Sequence, residues 1–324
     1  AAQLEGSKAF AKDVMEAAAV PTAMAMTATT RDEAALALGT LGPPYVVKND
    51  GLAGGKGVVV TDSRQEALDH AKTCFDVGLP VVVEAFLDGP EVSLFCVTDG
   101  VSVVPLAPAQ DFKRALDGDA GPNTGGMGAY SPLPWAPEDL TDIVVDRVAL
   151  PAIAEMAARG TPFQGLLYCG LALTQKGLRV VEFNARFGDP ETQVVLPRLA
   201  TPLSRVLLAA ATGTLADVGP LEWTDQSAVT VVLAAANYPG APVTGDRITG
   251  IGAANAIPGV YVLQAGTRLD EAGHLVSAGG RVLSVVGLGP NLAQARDRAY
   301  AGINSIHLEG SHFRADIALR AALT

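Results

Sequence analysis

Residues 45–61 read YVVKNDGLAGGKGVVVT, in which two short β-branched runs enclose a loop with four glycines in seven residues. Such runs on both sides of a glycine loop predict a β-hairpin. A P-loop would need Gly-x-x-x-x-Gly-Lys-Ser/Thr at the start of a helix, whereas Asp50 stands five residues before Gly55 and Gly57 follows Lys56. The Rossmann fingerprint also requires a helix after its glycines. The sequence therefore predicts a glycine-rich flap between two strands.

The flap has the composition of a phosphate-binding loop. Glycine N–H groups, which no Cβ obstructs, can approach and surround phosphate oxygens. Lys48 ends the incoming strand, where its ammonium group can reach the α- and β-phosphates of a nucleotide. A flexible hairpin without a ligand is the alternative. The residues of this stretch that we expect to contact a nucleotide are Lys48, Gly51, Gly54, Gly55, Lys56 and Gly57.

A second stretch, residues 81–94, reads VVVEAFLDGPEVSL and predicts a strand, an acidic turn and another strand. Backbone groups of such a connector can bind an adenine edge, with Phe86 and Leu87 as an apolar wall. Glu91 can accept hydrogen bonds from ribose hydroxyls. An ordinary strand–turn–strand is the alternative. The candidate nucleotide contacts here are Glu84, Ala85, Phe86, Leu87 and Glu91.

The third stretch, residues 181–191, reads VEFNARFGDPE and follows an apolar run typical of a buried strand. Side chains two residues apart on a strand share a face, so Glu182 and Asn184 should lie side by side. A carboxylate beside an amide oxygen suits Mg²⁺, which takes few protein oxygens together with nucleotide phosphates. Arg186 can meet a phosphate with its planar fork. The alternative is a strand-end Glu paired with a nearby Arg, with Asn184 and Gly188-Asp189-Pro190 forming a turn.

The remaining pattern predicts further elements. Helices are expected at 7–19, 64–74, near 137–159, at 193–212 and at 291–306, and strands around 229–235, 260–267 and 281–287. Residues 107–136 hold many Gly, Pro, Asp and Asn residues, so we expect a functional loop there without a core element.

The composition limits the class of protein. The formal charge of −11 argues against a nucleic-acid partner. The longest apolar runs, such as Val229–Ala236, are far too short for a membrane span, and no signal peptide opens the chain, which predicts a cytoplasmic protein. Three cysteines on apolar segments predict reduced core residues. Oligomeric state is not readable from sequence, and a monomer is favoured.

The order of a lysine, a glycine flap, an acidic connector and a Glu-x-Asn strand resembles the ATP-grasp superfamily. Within it the chain is most similar to the glycinamide ribonucleotide synthetase family. The resemblance covers essentially the whole chain, and its most selective strings are PNTGGMGAY at 122–130 and RFGDPE at 186–191. Asn49, Gly54 and Ala185 depart from the usual residues. The family's N-terminal Rossmann-like domain is not in this sequence, so we expect the amine-substrate site to lack a part.

The resemblance implies an α+β fold in which two α+β lobes clamp ATP, with a small mixed α/β domain at the C-terminus. Residues 1–21 and 87–227 would form the central lobe, residues 22–86 the lid lobe and residues 228–324 the C-terminal domain. The implied reaction joins glycine to 5-phosphoribosylamine through glycyl phosphate, with ATP and Mg²⁺ or Mn²⁺. The alternatives are another ATP-grasp carboxylate–amine ligase, or an ATP-binding module without full activity.

The resemblance also assigns roles to single residues. Lys8 and Lys48 would hold the α- and β-phosphates, and Glu182 and Asn184 the metal. Arg186 would stabilise the transferring phosphoryl group. Glycine would lie near residues 111–130 and 186–191, where the implied catalytic residues besides Arg186 are Lys113 and Asp189. Asp189 and Glu191 would orient the glycine ammonium group or cap the following helix.

Overall fold

The structure is a computed structural model that describes residues 1–52 and 57–323. Gly54, Gly55 and Lys56 of the predicted flap lie outside the described residues. The helices are α1 (Gln3–Gly6), α2 (Lys8–Ala17), α3 (Arg31–Leu41), α4 (Arg64–Asp76), α5 (Leu140–Val144), α6 (Leu150–Ala158), α7 (Thr192–Val195), α8 (Leu203–Thr212), α9 (Ile251–Asn255) and α10 (Leu292–Ile303).

The strands of the described chain begin with a group that ends at residue 105: β1 (Ala25–Ala28), β2 (Tyr45–Asn49), β3 (Val58–Thr61), β4 (Val81–Ala85), β5 (Glu91–Thr98) and β6 (Val103–Pro105). The later strands are β7 (Gln110–Asp111), β8 (Arg114–Leu116), β9 (Ala120–Asn123), β10 (Gly128–Ser131), β11 (Gly165–Thr174), β12 (Gly177–Asn184), β13 (Ser227–Ala234), β14 (Val260–Gln264), β15 (Thr267–Leu269), β16 (Leu275–Ser277) and β17 (Arg281–Gly289).

The chain divides into two compact units. The first comprises Ala1–Leu106, Glu138–Phe187 and Ser204–Pro220, and the second comprises Ala107–Pro137, Gly188–Leu203 and Leu221–Thr324. This division groups residues 107–137 and 188–203 with the C-terminal segment, whereas the sequence prediction placed them in the central lobe. The predicted lobe and domain boundaries stay a prediction.

One sheet of the first unit has the strand order β1-β4-β2-β3. Tyr45 pairs with Thr61, and the antiparallel register continues to Lys48 and Val58, which confirms the predicted hairpin. Helices α3 and α4 pack on this sheet, and their buried alanines and leucines form one core with Val47, Val81 and Val83. Thr30 caps α3 through a capping box with Glu33, which fixes where that helix begins.

A second sheet of the first unit has the order β12-β11-β5-β6. The long strands β5 and β11 are buried along most of their length, which is typical of strands covered on both faces. Val181 is an extra residue where the β11–β12 register shifts, because Gly170 pairs with Glu182 but Leu171 pairs with Val180. This β-bulge lies directly before the predicted metal ligands.

The main sheet of the second unit has the order β14-β17-β13-β10-β7, all antiparallel, with α10 packed on it. Residues 128–131 form β10, and every residue of that strand is buried. The expectation that residues 107–136 contain no core element is therefore wrong. The composition misled because Gly128 is needed for packing: a Cβ there would lie 2.6 Å from the carbonyl oxygen of Thr230 on β13.

Most predicted helices are confirmed with small shifts of their ends, and two regions differ. The single helix expected at 193–212 is two helices, α7 and α8, separated by a 3₁₀ turn at Leu196–Arg198. Pro197 and Pro202 explain the break, since proline supplies no backbone N–H and disfavours a helical residue before it. The region near 137–159 contains α5 and α6 joined by a π-helical turn at Val145–Ala149.

The cysteine prediction is confirmed, because Cys74, Cys96 and Cys169 are free and buried. Burial raises the pKa of the Cys74 thiol, which keeps that thiol protonated at neutral pH. Within residues 1–52 and 57–323, no helix is both long and apolar enough to cross a membrane.

Candidate functional site

A cluster of buried charges joins three elements of the first unit. The Nζ atoms of Lys48 on β2 and Lys12 on α2 each lie 3.1 Å from Oε2 of Glu84 on β4. Lys48 is 5% exposed and Glu84 is 3% exposed, so water screens this contact weakly. Lys48 also donates to the carbonyl oxygen of the bulge residue Val181 at 3.2 Å. The predicted nucleotide contacts Lys48 and Glu84 therefore form one network, and Lys12 is a member that the sequence prediction missed.

Lys8 lies in the same unit at the base of the flap. Its Nζ donates to the carbonyl oxygen of Gly51 at 2.9 Å. Burial lowers the pKa of Lys8, while the negative charge of Glu182 acts in the opposite direction, so these two side chains are close enough to interact. Asp50 accepts from Ser7 Oγ and from the Ala9 N–H, both at 3.1 Å, which ties the end of β2 to the start of α2. These contacts place Lys8 beside Gly51, and the phosphate-binding role of both residues stays a prediction.

Glu182 and Asn184 stand two residues apart on β12, where Glu182 pairs with Gly170 and Asn184 with Tyr168. The shared face that the sequence predicted is therefore present. Gly170 provides the space for the carboxylate, since a Cβ there would lie 3.2 Å from Glu182 Cγ. A half-buried carboxylate and an amide oxygen on one face fit Mg²⁺, which takes few protein ligands. In the described residues no group of three or more His, Cys, Asp or Glu side chains could form a fuller metal cage.

Arg186 follows β12 and is held by Glu5 of α1. Its Nε donates to Glu5 Oε1 at 3.0 Å, while Glu5 Oε2 accepts from the Ala185 N–H at 2.9 Å. The Arg186 side chain is 56% exposed, so the guanidinium remains accessible to a ligand. The sequence prediction missed Glu5, which lies three residues before the predicted phosphate contact Lys8. The ion pair described for Arg186 is therefore the one with Glu5.

The connector after β4 is an exposed turn whose backbone lies close to that of β11. The Ala85 N–H donates to the Met24 carbonyl oxygen at 2.9 Å, so that group serves the sheet. Phe86, which is 47% exposed, and Leu87 come after the strand, and Glu91 begins β5 opposite Ala172. Gly89 has a φ of +118°, and a Cβ there would lie 2.2 Å from the carbonyl oxygen of Leu173. Of the predicted apolar wall, the Phe86 side chain is exposed and Leu87 is half-buried.

Lys113 and Asp189 lie in the second unit. The Lys113 carbonyl oxygen accepts from Thr124 N at 2.7 Å and from Thr124 Oγ1 at 2.8 Å. Asp189 Oδ1 accepts from Arg281 Nη1 at 3.1 Å and from Gln193 Nε2 at 3.0 Å. No side-chain hydrogen bond caps the N-terminus of α7 in the described structure, and Asp189 instead accepts a hydrogen bond from the Gln193 side chain. After Lys12 and Glu5, Arg281 is a third residue that the sequence prediction missed.

Solved structures of distantly related proteins share this fold, and a family model defines its class. The ADP complex of N5-carboxyaminoimidazole ribonucleotide synthetase superposes with a TM-score of 0.67 at 16% identity, covering 92% of this chain and 71% of that one. Residues 6–192 match the family model described as phosphoribosylglycinamide synthetase, ATP-grasp (A) domain, and residues 228–320 match its C domain. The predicted α+β ATP-grasp fold is confirmed.

The relatives identify the family. The phosphoribosylamine–glycine ligase of Streptomyces coelicolor is 64% identical over 99% of this chain and 77% of its own length. That of Mycobacterium tuberculosis is 56% identical over 99% of this chain and 76% of its own. The crystal structure of the enzyme of that name from Thermotoga maritima has a TM-score of 0.88 at 36% identity, covering 98% of this chain and 80% of that one. The chain belongs to the phosphoribosylglycinamide synthetase family.

Proposed function

We propose that the protein is an ATP-dependent ligase that joins glycine to 5-phosphoribosylamine and yields glycinamide ribonucleotide, ADP and phosphate in purine biosynthesis. Relatives named phosphoribosylamine–glycine ligase support this proposal at 56–64% identity over nearly the whole chain. The observation that carries it is the conjunction, in one ATP-grasp unit, of the Lys48–Glu84 network with the Glu182–Asn184 face. This arrangement combines cations for phosphates with oxygens for a metal.

The reaction divides into two displacements. A carboxylate oxygen of glycine attacks the γ-phosphorus of ATP, and the bond to the β,γ-bridging oxygen breaks to release ADP. The amine of 5-phosphoribosylamine then attacks the carbonyl carbon of glycyl phosphate, the C–O bond breaks, and phosphate leaves while the nitrogen loses a proton. Phosphoryl transfer of this type depends mainly on positioning and on stabilisation of negative charge.

The lysines of the first unit hold the triphosphate in this scheme. Lys8 and Lys48 contact the α- and β-phosphates, and Glu84 keeps the Lys48 ammonium group in place. Lys8 is anchored at the Gly51 carbonyl oxygen, so Gly51 lies beside the lysine that holds the phosphates. Phe86 and Leu87 supply the apolar surface for adenine, and Glu91 accepts from the ribose.

Glu182 and Asn184 hold the divalent cation, for which Mg²⁺ and Mn²⁺ are the candidates because both take carboxylate and amide oxygens. When bound, the cation neutralises the charge that develops on the phosphate oxygens. The guanidinium of Arg186 stabilises the negative charge of the transferring phosphoryl group. Glu5 orients the Arg186 side chain by accepting a hydrogen bond from its Nε. Lys113 and Asp189 bind glycine, with the Asp189 carboxylate facing the ammonium group.

A substrate panel tests the proposal. ADP formation is measured with Mg·ATP and glycine, with and without 5-phosphoribosylamine, and with L-alanine or bicarbonate in place of glycine. We expect ADP to form with glycine, to form faster when the amine is added, and to be accompanied by a product of the mass of glycinamide ribonucleotide. An equal rate with bicarbonate, or no dependence on glycine, would show that the protein is a different ATP-grasp ligase.

A further inference from the structure

One arginine contacts both of the selective sequence strings, 122–130 and 186–191. Nη1 of Arg281, at the start of β17, donates to the Gly125 carbonyl oxygen at 2.7 Å and lies 3.5 Å from that of Gly126. The same nitrogen donates to the Asp189 carbonyl oxygen at 2.7 Å and to Asp189 Oδ1 at 3.1 Å. A single side chain therefore joins two segments of the second unit that are far apart in sequence.

The turn around Gly125 and Gly126 has further hydrogen-bond partners. The Gly125 N–H donates to Tyr238 Oη, and the Gly126 N–H donates to Thr124 Oγ1, both at 2.9 Å. Thr124 in turn donates to the carbonyl oxygen of Lys113. A continuous chain of hydrogen bonds thus runs from Lys113 through Thr124 and the glycine turn to Arg281 and Asp189.

Close packing restricts the same contacts. Gly126 has a φ of +109°, and a Cβ there would lie 2.4 Å from Cδ of Pro190. A Cβ on Gly125 would lie 3.0 Å from the Arg281 guanidinium carbon, and one on Gly280 would lie 2.2 Å from the Tyr238 ring. Glycines at these three positions allow Arg281, Tyr238 and Pro190 to approach the turn. The geometry of the turn and of Asp189 is therefore set jointly.

We propose that Arg281 is a positioning residue for the glycine site: it aligns the Asp189 carboxylate and the Gly125–Gly126 turn as one rigid surface for the substrate. The inference rests on the proposed function, because it takes Asp189 as the partner of the glycine ammonium group. Both described partners of the Asp189 carboxylate, Arg281 and Gln193, bind Oδ1. A carboxylate fixed at one oxygen presents the other in a defined direction.

The test compares Arg281→Ala and Arg281→Lys with Arg268→Ala, a matched control because Arg268 is exposed on β15. For each variant, kcat, the KM for glycine, the KM for ATP and the melting temperature are measured. We expect Arg281→Ala to raise the KM for glycine at least about tenfold, since small misplacements of a binding group are costly. The KM for ATP should stay within about twofold, and Arg268→Ala should resemble the unmodified protein.

Asp189→Asn, measured in parallel, separates this inference from the proposed function. If Asp189→Asn raises the KM for glycine while Arg281→Ala matches the control, Asp189 acts without Arg281 and the inference is wrong. If Arg281→Ala raises both KM values equally, its role is general stability and the inference is also wrong. Should Arg281→Ala fail to fold, Arg281→Lys decides, and an unchanged KM for glycine in that variant overturns the inference. Failure of the unmodified protein to use glycine would instead contradict the proposed function.

Discussion

Glu84 connects two lysines that come from different parts of the chain. Lys48 follows Val46 by two residues, and Val46 pairs with Glu84 across β2 and β4, so the Lys48 and Glu84 side chains share a face of the sheet. The sequence predicted both residues as nucleotide contacts but could not pair them, because pairing depends on which strands are neighbours. Lys12 was missed for the same reason, since only the packing of α2 brings it to Glu84.

Substitutions of Glu84 and of Lys12 should differ in their effect on the free energy of unfolding. Glu84→Gln leaves two buried ammonium groups without a counter-charge, so we expect the free energy of unfolding to fall by about 3–5 kcal/mol. Lys12→Met leaves Glu84 paired with Lys48 and removes a charge that burial disfavours, so the change should stay within about 1 kcal/mol. Urea unfolding of both variants checks this. An equal loss in both would contradict the assignment of Glu84 as the common partner.

The pH dependence of stability gives a second test of Lys12. Burial lowers the pKa of Lys12 below its ordinary value of 10.5. Between the lowered pKa and 10.5 the unfolded chain therefore binds more protons than the folded protein, and stability from this group rises with pH. The unmodified protein should gain stability relative to Lys12→Met as pH rises through this window. If the difference in unfolding free energy between the two proteins is the same at every pH, Lys12 does not titrate in this way.

The metal assignment predicts a loss of activity with little loss of structure. Glu182→Gln keeps the size of the side chain but removes its charge, so we expect kcat to fall at least about a hundredfold with an unchanged melting temperature. Glu16→Gln, on the exposed face of α2, is the matched control. Near-normal kcat of Glu182→Gln at ordinary Mg²⁺ concentrations would exclude Glu182 as a metal ligand.

At the scale of elements, β12 prepares the site through its bulge. The extra residue Val181 directs its carbonyl oxygen to Lys48, and Glu182 then faces the space that Gly170 leaves open. The sequence predicted the strand and the shared face of Glu182 and Asn184 from side-chain alternation. It could not predict the bulge, because a register shift is a property of the strand pair and not of either strand alone.

Gly170 should therefore be sensitive to a single added methyl group. A Cβ would lie 3.2 Å from Glu182 Cγ and 3.3 Å from Tyr168 Cε1, so both side chains must shift slightly. We expect Gly170→Ala to raise the metal concentration needed for half-maximal activity severalfold. The matched control is Gly39→Ala, at an open position inside α3, where alanine should add about 0.5–1 kcal/mol of stability. An unchanged metal requirement in Gly170→Ala would separate Gly170 from the site.

The sequence predicted the β2–β3 hairpin correctly and missed strand β10, and the two outcomes have related causes. The hairpin of β2 and β3 was predicted because short β-branched runs indicate strands from the local sequence alone. Strand β10 was not, because its Gly128 and its Gly- and Pro-rich flanks are typical of loops, and only the neighbours β7 and β13 make it a buried strand. Local composition indicates the secondary structure that an isolated segment favours. Where tertiary packing favours a different structure, the packing determines the one that forms.

At the scale of the whole molecule, contacts between residues far apart in sequence were harder to predict than the residue types suited to phosphate or metal binding. Most candidate contacts were found from motifs, since residue type and spacing indicate phosphate and metal binding. Arg281 was not, because it lies 156 residues from Gly125, with which it shares a hydrogen bond, and no local pattern marks it. The proposed roles of Lys113 and Asp189 likewise depend on substrates that the sequence does not describe.

The central claim is that glycine is activated as an acyl phosphate, and the fate of its oxygen atoms tests this most directly. Glycine labelled with ¹⁸O in both carboxylate positions is turned over with Mg·ATP and 5-phosphoribosylamine, and the released phosphate is analysed by mass spectrometry. Because the attacking oxygen leaves with phosphorus when the amine displaces it, we predict one labelled oxygen in each phosphate formed. Unlabelled phosphate, formed together with glycinamide ribonucleotide, would contradict this mechanism.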